Sequence, residues 1–269
     1  MDLSKIKLVV TDMDGTLLNS NHKVSKRFFQ IFKSLKKHNI IFAAASGRPY
    51  YSILEKLEPI KDDIYFVAEN GGLIIKNENV LFNSTINKLS LQKIIEVFKA
   101  LDRIDVVFCT QKKAYIQSQD FNLIQIISEF YPNYSIIKSY KEIEEDIIKI
   151  ALYHNENSET FLFHHFKDLG SNFDIKVSGK HWLDISENMI NKGFAIKKLQ
   201  NDHNILWDET LTFGDYNNDL SMLEQSMYSF AMENAHNNVK EIANYATKSN
   251  DEFGVEIILE KLIEAKEAL

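Results

Sequence analysis

Residues 7–16 read KLVVTDMDGT, a β-branched apolar run that ends in two aspartates and a glycine. The run predicts a short buried strand. Side chains two residues apart point the same way in an extended segment, so Asp12 and Asp14 would leave the strand end on one face. Open α/β sheets bind ligands at this end of their strands, and a turn through Gly15 can form an anion-binding nest. The stretch therefore predicts a site where a cation joins two carboxylates to an anion, with an Asx turn that only ends the strand as the alternative.

Two more apolar runs end in polar residues in the same way. They are residues 40–48, IIFAAASGR, and residues 64–72, IYFVAENGG. Runs that are apolar on both faces are typical of parallel strands between two layers of helices. Segments of helical period separate the runs, and the first of them begins after Ser25, a suitable N-cap. This alternation predicts an α/β fold with a mostly parallel sheet.

The stretch from residue 84 to residue 186 has its own helix and strand signals but no acidic or Ser-Gly-Arg ending to its strands. We predict that it is an inserted α/β domain, and that residues 1–83 and 187–269 together form one core. Inside the insertion the periodicity predicts helices near 90–101, 122–130 and 158–169, and strands near 105–110, 114–117, 147–153, 174–177 and 182–185. After it the pattern predicts helices at 192–200, 218–225, 237–243 and 254–265, and strands at 210–213 and 228–231.

A second acidic strand end follows the apolar run at residues 210–213. Asp215 and Asp219 supply hard oxygen ligands of the kind that Mg²⁺ prefers. Taken alone, Asp219 also fits a residue at a helix N-terminus that the helix dipole favours. A calcium loop that starts at Asp12 is excluded, because its twelfth position needs glutamate and is Lys23.

Two shorter motifs offer groups that bind phosphate. Ser46 and Gly47 provide a hydroxyl and a backbone amide after a strand, and Lys192 provides a cation at a helix start. Each has a more ordinary explanation when taken alone: a helix cap for the serine and a solvated side chain for the lysine.

Composition and charge exclude several classes of protein. The 31 Lys and Arg against 38 Asp and Glu give a net charge of −7, so no basic surface is expected for nucleic acid or an anionic membrane. The single cysteine, Cys109, excludes an internal disulfide and is expected to be a buried hydrophobe. The sequence shows neither a signal peptide nor an apolar run of about 18 residues, so a cytoplasmic location is expected. The Asn-x-Ser/Thr matches at Asn83 and Asn133 are then expected to be chance.

The order of the motifs resembles the haloacid dehalogenase-like (HAD) hydrolase superfamily over nearly the whole chain. Asp-x-Asp-Gly-Thr at 12–16 is followed by Ser-Gly-Arg at 46–48, Lys-Gly at 192–193 and Gly-Asp-x-x-Asn-Asp at 214–219. The large insertion, together with residues 231–235, AMENA, and 249–255, SNDEFGV, resembles the Cof-like type IIB branch, which carries an α/β cap. The chain departs from that pattern in small ways: Gly72 stands where alanine is common, and Phe253 where an acidic residue is common.

The resemblance implies a Rossmann-like parallel-sheet core with an inserted α/β cap. It also implies a Mg²⁺-dependent phosphatase of small phosphorylated metabolites, with sugar phosphates as the favoured class. Asp12 would be the nucleophile that forms an aspartyl phosphate. Asp14 would protonate the leaving oxygen and then activate water, so its pKa should lie above that of Asp12. Lys192 would neutralise the charge of the nucleophile and of the phosphate.

The resemblance further implies which residues bind the metal and the phosphate. Mg²⁺ would be held by the Asp12 carboxylate, the Asp14 backbone carbonyl and Asp215. Asp219 would position Lys192 or a metal-bound water. The phosphate would be held by Gly15, Thr16, Ser46, Gly47, Arg48 and Asn218.

The cap would set the choice of substrate, and the candidate contacts are Arg48 and residues 180–182, KHW. An ion pair is the alternative role for Arg48, and a core position is the alternative for Trp182. His164 and His165 are expected at a helix surface, because no third metal ligand is suggested nearby. Two other hypotheses stay open: a sugar phosphomutase of the same architecture, and a non-catalytic regulator that binds phosphorylated metabolites. The expected partner is a small metabolite, without nucleic acid or membrane, and the expected state is a monomer or weak homodimer.

Overall fold

The computed structural model describes residues 2–101, 104–118, 120–169 and 172–268. Within them the chain forms one sheet of eight strands and one of six. The strands are β1 (Leu8–Asp12), β2 (Ile41–Ala45), β3 (Tyr65–Ala68), β4 (Leu73–Lys76), β5 (Asn79–Asn83), β6 (Asp105–Thr110), β7 (Ala114–Gln117), β8 (Tyr134–Ile136), β9 (Ile147–Tyr153), β10 (Phe173–Gly179), β11 (Trp182–Glu187), β12 (Thr210–Gly214), β13 (Tyr228–Ala231) and β14 (Tyr245–Ala246). The helices are α1 (Lys26–Lys37), α2 (Tyr50–Leu57), α3 (Lys88–Lys99), α4 (Phe121–Ser128), α5 (Ser158–Phe161), α6 (Phe163–Phe166), α7 (Lys192–His203), α8 (Leu220–Leu223), α9 (Asn237–Ile242) and α10 (Gly254–Glu267). Among the described residues, no helix combines the length and the apolar character that crossing a bilayer requires.

The eight-stranded sheet has the order β14-β13-β12-β1-β2-β3-β4-β5. The first six strands in this order, from β14 through β1 to β3, run parallel to one another. Strands β4 and β5 then form an antiparallel edge. The chain continues from β1 to β2 on one side and later adds β12 on the other side, so the carboxyl end of β1 is a topological switch point. Asp12, the last residue of β1, lies at this point.

Helices cover both faces of the eight-stranded sheet. Val9 packs in the apolar cluster that includes residues of α1, α2 and α10, whereas Leu8 and Val10 pack in the cluster that includes residues of α7. Strand β1 is therefore buried on both sides, as its unbroken apolar run predicts. Ser25 caps α1 as expected, because its hydroxyl accepts a hydrogen bond from the backbone N–H of Phe28 at 2.9 Å.

The six-stranded sheet has the order β10-β11-β9-β6-β7-β8 and is mostly antiparallel. Residues of α3 and α6 pack with one apolar cluster of this sheet, and residues of α4 pack with another. We use the name cap segment for residues 84–186, whose status as an inserted domain remains a prediction. Two sheets layered with helices confirm the predicted α/β fold class.

Several elements differ from the predictions. The helix expected at 158–169 is divided into α5, α6 and a 3₁₀ turn at Lys167–Leu169. The helix expected at 218–225 is divided into a 3₁₀ turn at Asn217–Asp219 and the short α8. Strands β4, β5, β8 and β14 have no counterpart in the predictions. Strands β8 and β14 have three and two residues, too few for a period to show, and the side chains of β5 are mostly exposed.

Candidate active site

Three strand ends of the eight-stranded sheet meet at one edge and bring the predicted site residues together. Asp12 ends β1, Ser46 follows β2, and Asp215 follows β12. A cavity of about 590 Å³ opens at this edge, between it and the cap segment. The sheet side of the cavity is lined by Asp12, Asp14, Gly15, Ser46, Gly47, Arg48, Asp215 and Asn218.

Lys192 is fully buried at the first turn of α7, where Asn191 caps the helix. Its ammonium donates to the Asp12 carboxylate and to Asp219 Oδ1, the latter at 2.6 Å. Burial alone would lower the pKa of Lys192, but the charges of Asp12 and Asp219 outweigh burial and hold the pKa above its usual value. Lys192 therefore stays protonated beside Asp12.

Three carboxylates of the site lie close together, and burial and their mutual repulsion raise the pKa of two of them. Burial, together with the charge of Asp219, raises the pKa of Asp12 to about 7, although Lys192 acts in the opposite direction. Burial and the charge of Asp12 likewise raise the pKa of Asp215 well above its usual value. Carboxylate oxygens of Asp12, Asp215 and Asp219 lie within 4.8 Å of one another. This set of oxygen donors fits a hard divalent cation.

Asp219 already has partners for both of its carboxylate oxygens. Its Oδ1 accepts the hydrogen bond from Lys192. Its Oδ2 accepts hydrogen bonds from the backbone N–H groups of Asp215 at 2.9 Å and Tyr216 at 3.1 Å. Asp219 thus contacts both Lys192 and the loop after β12, and its predicted positioning role stays a prediction.

Gly15 and Thr16 lie against Asp215. The Gly15 backbone has a φ of +73°, and a Cβ atom at this position would lie 2.2 Å from Asp215 Oδ2, so a side chain would collide with the carboxylate. The buried hydroxyl of Thr16 donates to Asp215 Oδ1 at 3.2 Å. Thr16 therefore orients a predicted metal ligand, which differs from the predicted contact with phosphate.

Residues 46–48, which we call the phosphate loop from its predicted role, are tied to Asn70. The backbone N–H of Asn70 donates to the Ser46 carbonyl at 2.9 Å. The Asn70 side chain accepts a hydrogen bond from Asn218 Nδ2 at 3.0 Å, so one residue links the loop to a second predicted phosphate contact. Asn70 has a φ of +55°, the left-handed region, and sequence reasoning did not identify it as part of the site.

Arg48 forms a two-pronged ion pair with Asp14. Its Nε and Nη2 donate to the two Asp14 oxygens at 2.6 and 2.5 Å, and its Nη1 donates to Ser52 Oγ at 3.0 Å. The guanidinium also lies 5.0 Å from the ring centre of Phe130 in the cap segment. In this arrangement Arg48 takes the ion-pair role, the alternative to a substrate contact.

The predicted order of the two aspartate pKa values is wrong for this arrangement of side chains. Burial would raise the pKa of Asp14, but hydrogen bonds and charge from Arg48 and His22 outweigh burial and hold that pKa well below its usual range. The pKa of Asp12 is raised at the same time. The sequence could not indicate this, because the Arg48 partner is fixed by the fold of two separate strand ends.

Aromatic rings of the cap segment form the opposite wall of the cavity. They belong to Phe130, Tyr131, Tyr153 and Trp182, with Lys180 and His181 beside them. The ring centre of Trp182 lies 5.0 Å from that of Tyr153 and 5.7 Å from that of Phe130. Trp182 is therefore packed among other rings, and its half-buried side chain also lines the cavity. Its contact with a substrate stays a prediction. The predicted substrate contacts at 180–182 lie at the cavity.

Two other predictions agree with the structure. Cys109 is buried, and burial raises the pKa of its thiol well above the usual value, as expected for a hydrophobic position. His164 and His165 lie exposed on α6, with their ring centres 3.8 Å apart.

A group of buried charges at the wall of the cavity was not predicted from the sequence. Lys149 on β9 forms ion pairs with Glu69 and with Asp184 on β11. The one signal in the sequence is a lysine inside the apolar run IIKIALY, Ile147–Tyr153, all seven residues of which are buried. Buried lysines are rare unless they are paired, so such a residue marks a partner elsewhere in the chain.

Comparison with known proteins identifies relatives over almost the whole chain. A sequence family described as haloacid dehalogenase-like hydrolase matches residues 9–259. The 5-amino-6-(5-phospho-D-ribitylamino)uracil phosphatase YbjI of Escherichia coli K12 is 29% identical over 264 residues, which cover 96% of each chain. Phosphatase YwpJ of Bacillus subtilis is 27% identical over 290 residues, which cover 96% of this chain and 100% of YwpJ.

Solved structures share the fold. The structure of SMU.1108c from Streptococcus mutans superposes with a TM-score of 0.91 at 31% identity, covering 96% of this chain and 99% of that one. The structure of BT4131, described as a HAD subclass IIB sugar phosphatase, superposes with a TM-score of 0.83 at 21% identity, covering 95% and 98% of the two chains. The predictions of the family and of a phosphatase activity are thereby confirmed, and this chain belongs to the haloacid dehalogenase-like hydrolase family.

Proposed function

We propose that this phosphatase depends on Mg²⁺ and hydrolyses small phosphorylated metabolites, sugar phosphates above all, through an aspartyl phosphate on Asp12. One observation carries the proposal. Asp12 ends β1 at the switch point of the sheet, with the Lys192 ammonium on its carboxylate and a cavity of about 590 Å³ before it. Such a cavity has the size of a small-metabolite site.

The proposal assigns a divalent cation to the acidic edge of the cavity. The carboxylates of Asp12 and Asp215 and the backbone carbonyl of Asp14 would hold it, while Asp219 keeps its contacts with Lys192 and the backbone. A bound Mg²⁺ offsets the repulsion between an anionic nucleophile and a phosphate dianion.

The reaction proceeds in two displacements at phosphorus. A carboxylate oxygen of Asp12 attacks phosphorus in line, the bond to the leaving oxygen breaks, and Asp14 supplies the proton to that oxygen. Water then attacks phosphorus of the aspartyl phosphate, and Asp14 takes a proton of the water. The bond between phosphorus and the Asp12 oxygen breaks, which regenerates the Asp12 carboxylate and releases inorganic phosphate. Ser46, the Gly47 amide and Asn218 hold the phosphoryl oxygens during both steps.

Proton transfer from Asp14 requires Arg48 to release it. The bidentate pair keeps Asp14 ionised, and an ionised carboxylate has no proton to donate. The phosphate group of the substrate is a competing anion for the same guanidinium. The proposal therefore has Arg48 turn from Asp14 to the incoming phosphate, which would raise the pKa of Asp14 as the substrate binds.

The aromatic wall favours a second substrate class beside simple sugar phosphates. The name of YbjI describes a substrate with a uracil ring on a phosphorylated ribityl chain. Flat rings stack on aromatic side chains, and the cap segment presents the rings of Phe130, Tyr131, Tyr153 and Trp182 to the cavity. A phosphorylated sugar or polyol that carries a flat heterocycle is therefore the second candidate, with residues 84–186 acting as the cap that receives it.

The test is phosphate release from a panel of sugar, nucleotide and heterocycle-bearing polyol phosphates, with Mg²⁺ and with EDTA. We expect release that requires the metal and that falls by at least about 100-fold in EDTA, because no other divalent charge would offset the repulsion. Release that is equal in EDTA would contradict the metal assignment. Turnover that appears only after addition of a sugar bisphosphate would support the phosphomutase hypothesis instead.

Replacing Asp14 by alanine tests the acid role. We expect kcat to fall by about 10²- to 10⁴-fold on an alkyl phosphate such as a sugar phosphate, whose leaving oxygen needs a proton. On p-nitrophenyl phosphate the loss in the first step should be less than about tenfold, because p-nitrophenolate leaves without a proton. Burst kinetics separate this step from hydrolysis of the aspartyl phosphate. Equal losses of the first step on both substrates would argue against Asp14 as the acid.

A further inference from the structure

The buried ammonium of Lys149 joins the two sheets at the wall of the cavity. Lys149 lies in the middle of β9, and its side chain is only 1% exposed. Its Nζ donates to the carbonyl oxygen of Gly47 in the phosphate loop. The same Nζ lies 3.3 Å from Asp184 Oδ2 on β11 and 2.9 Å from Glu69 Oε2. Lys149 and Asp184 belong to the six-stranded sheet, whereas Gly47 and Glu69 follow strands of the eight-stranded sheet.

The phosphate loop is held through its carbonyl groups. The Ser46 carbonyl accepts a hydrogen bond from the Asn70 N–H at 2.9 Å, and the Arg48 carbonyl accepts one from the Glu69 N–H at 3.1 Å. The Gly47 carbonyl between them accepts the hydrogen bond from Lys149. Two of these three hydrogen bonds therefore come from the turn after β3, and the one to the Gly47 carbonyl comes from the cap segment.

The hydrogen bond from Lys149 to Gly47 acts on the Ser46 hydroxyl through one peptide group. The Gly47 carbonyl and the Arg48 N–H belong to one planar trans peptide group, so fixing one fixes the direction of the other. The Arg48 N–H donates to Ser46 Oγ at 3.0 Å. Lys149 is thus connected to the Ser46 hydroxyl through one rigid peptide.

The charges around Lys149 keep it protonated and in place. Burial would lower the pKa of Lys149, but the charges of Asp184 and Glu69 outweigh burial and raise it well above the usual value. Asp184 also accepts a hydrogen bond from Asn70 Nδ2 at 2.5 Å. The Glu69 backbone has a φ of +52°, a strained conformation of the kind that clusters at functional sites.

From this geometry we infer that Lys149 is a positioning residue. It docks the cap segment on the phosphate loop and holds the peptide that aims Ser46 at the phosphate. The inference rests on the proposed function in one respect, that the loop binds the phosphoryl group. Lys149 acts on the phosphoryl end of every substrate alike, and not on the leaving group.

The test compares Lys149→Met with Lys176→Met, a matched control. Lys176 lies on β10 of the same sheet and pairs with Asp174 at 3.4 Å, away from the phosphate loop. We expect Lys149→Met to lower kcat/KM by about 10- to 100-fold, equally on p-nitrophenyl phosphate and on the best metabolite, because a displaced phosphate contact affects both. Lys176→Met should stay within about twofold of wild type. A loss confined to the metabolite would overturn the inference, because Lys149 would then contact the leaving group.

Hydrogen exchange of the loop supplies a readout that does not depend on turnover. In Lys149→Met, the amides of a peptide spanning residues 41–54 should exchange at least about threefold faster than in wild type, while the control is unchanged. An unchanged exchange rate in Lys149→Met would show that Lys149 does not hold the phosphate loop and would refute the inference. If wild type released no phosphate from any substrate, the proposed function would fail while this measurement would still decide the inference.

Loss of Lys149 removes the positive charge that pairs with the buried carboxylates of Glu69 and Asp184, so a second comparison guards against unfolding. Glu69→Gln should keep the two contacts of Lys149 that do not involve Glu69, namely the hydrogen bond to Gly47 and the pair with Asp184. The double variant Glu69→Gln with Lys149→Met loses the hydrogen bond to the Gly47 carbonyl, and it also lacks one of the two buried negative charges. Faster loop exchange in the double variant than in Glu69→Gln alone supports the inference, and equal exchange in the two contradicts it.

Discussion

Replacing Asp12 by asparagine is expected to abolish turnover, with a loss in kcat of at least about 10⁴-fold, because an amide oxygen cannot act as the nucleophile at phosphorus. The fold should survive the change. Asparagine has nearly the same size, and Lys192 keeps its hydrogen bond to Asp219. The lost pair with Lys192 is offset by the repulsion from Asp219 that disappears, so the free energy of unfolding should stay within about 1 kcal/mol of wild type.

The measurement is phosphate release at saturating substrate and Mg²⁺, together with urea unfolding in EDTA. Asp62→Asn is the matched control, because Asp62 is an exposed aspartate outside the cavity. The control should keep full turnover. Turnover retained in Asp12→Asn would show that another group attacks phosphorus, and the aspartyl-phosphate mechanism would have to be abandoned.

The fold was accessible from the sequence because the central strands of the eight-stranded sheet are buried on both faces. An unbroken apolar run such as that of β1 is typical of a parallel strand between two layers of helices, and the acidic residues that end it predict the functional edge of the sheet. Strands at the sheet edges carry no such signal. Four of the five residues of β5 are exposed, and β14 has only two residues, which pair with β13, so neither has a pattern of its own.

The residues of the site also fall into two groups: those that a sequence motif indicates, and those that only the fold brings to the site. The sequence could indicate Asp12, Ser46, Lys192 and Asp215 because each ends or follows a strand, or opens a helix, within a recognisable motif. The partners of these residues could not, because they depend on contacts between distant parts of the chain. Lys149 and Gly47 are 102 residues apart in sequence, and only the packing of the two sheets makes them neighbours. Arg48 was visible as a candidate, but its pairing with Asp14 reverses the order of acidity that the motif alone implies.

Replacing Lys192, the cation beside Asp12, is expected to produce the second large effect, a loss of both stability and turnover. Lys192 is fully buried between Asp12 and Asp219 and is held by the first turn of α7. Lys192→Met removes the cation and leaves two buried carboxylates facing each other. Breaking a buried ion pair by removing one partner costs about 3–5 kcal/mol, because the remaining charge is uncompensated. We expect a loss of this size in the free energy of unfolding, and a fall in kcat of about 10²- to 10³-fold from lost stabilisation of the phosphoryl charge.

Urea unfolding in EDTA measures the stability term, with Lys198→Met as the matched control. Lys198 lies on the same helix and pairs with Asp202 at 3.1 Å, but both side chains are partly exposed, so its loss should cost less than about 0.5 kcal/mol. Adding Asp219→Asn to Lys192→Met should recover part of the stability, because it removes one of the two opposed charges, but it should not recover kcat. Equal destabilisation by Lys192→Met and Lys198→Met would mean that the buried pair is no stronger than a surface one. Recovery of stability without turnover would separate the two tasks of Lys192: it holds the carboxylates together in the folded chain, and it neutralises the phosphoryl group during the reaction.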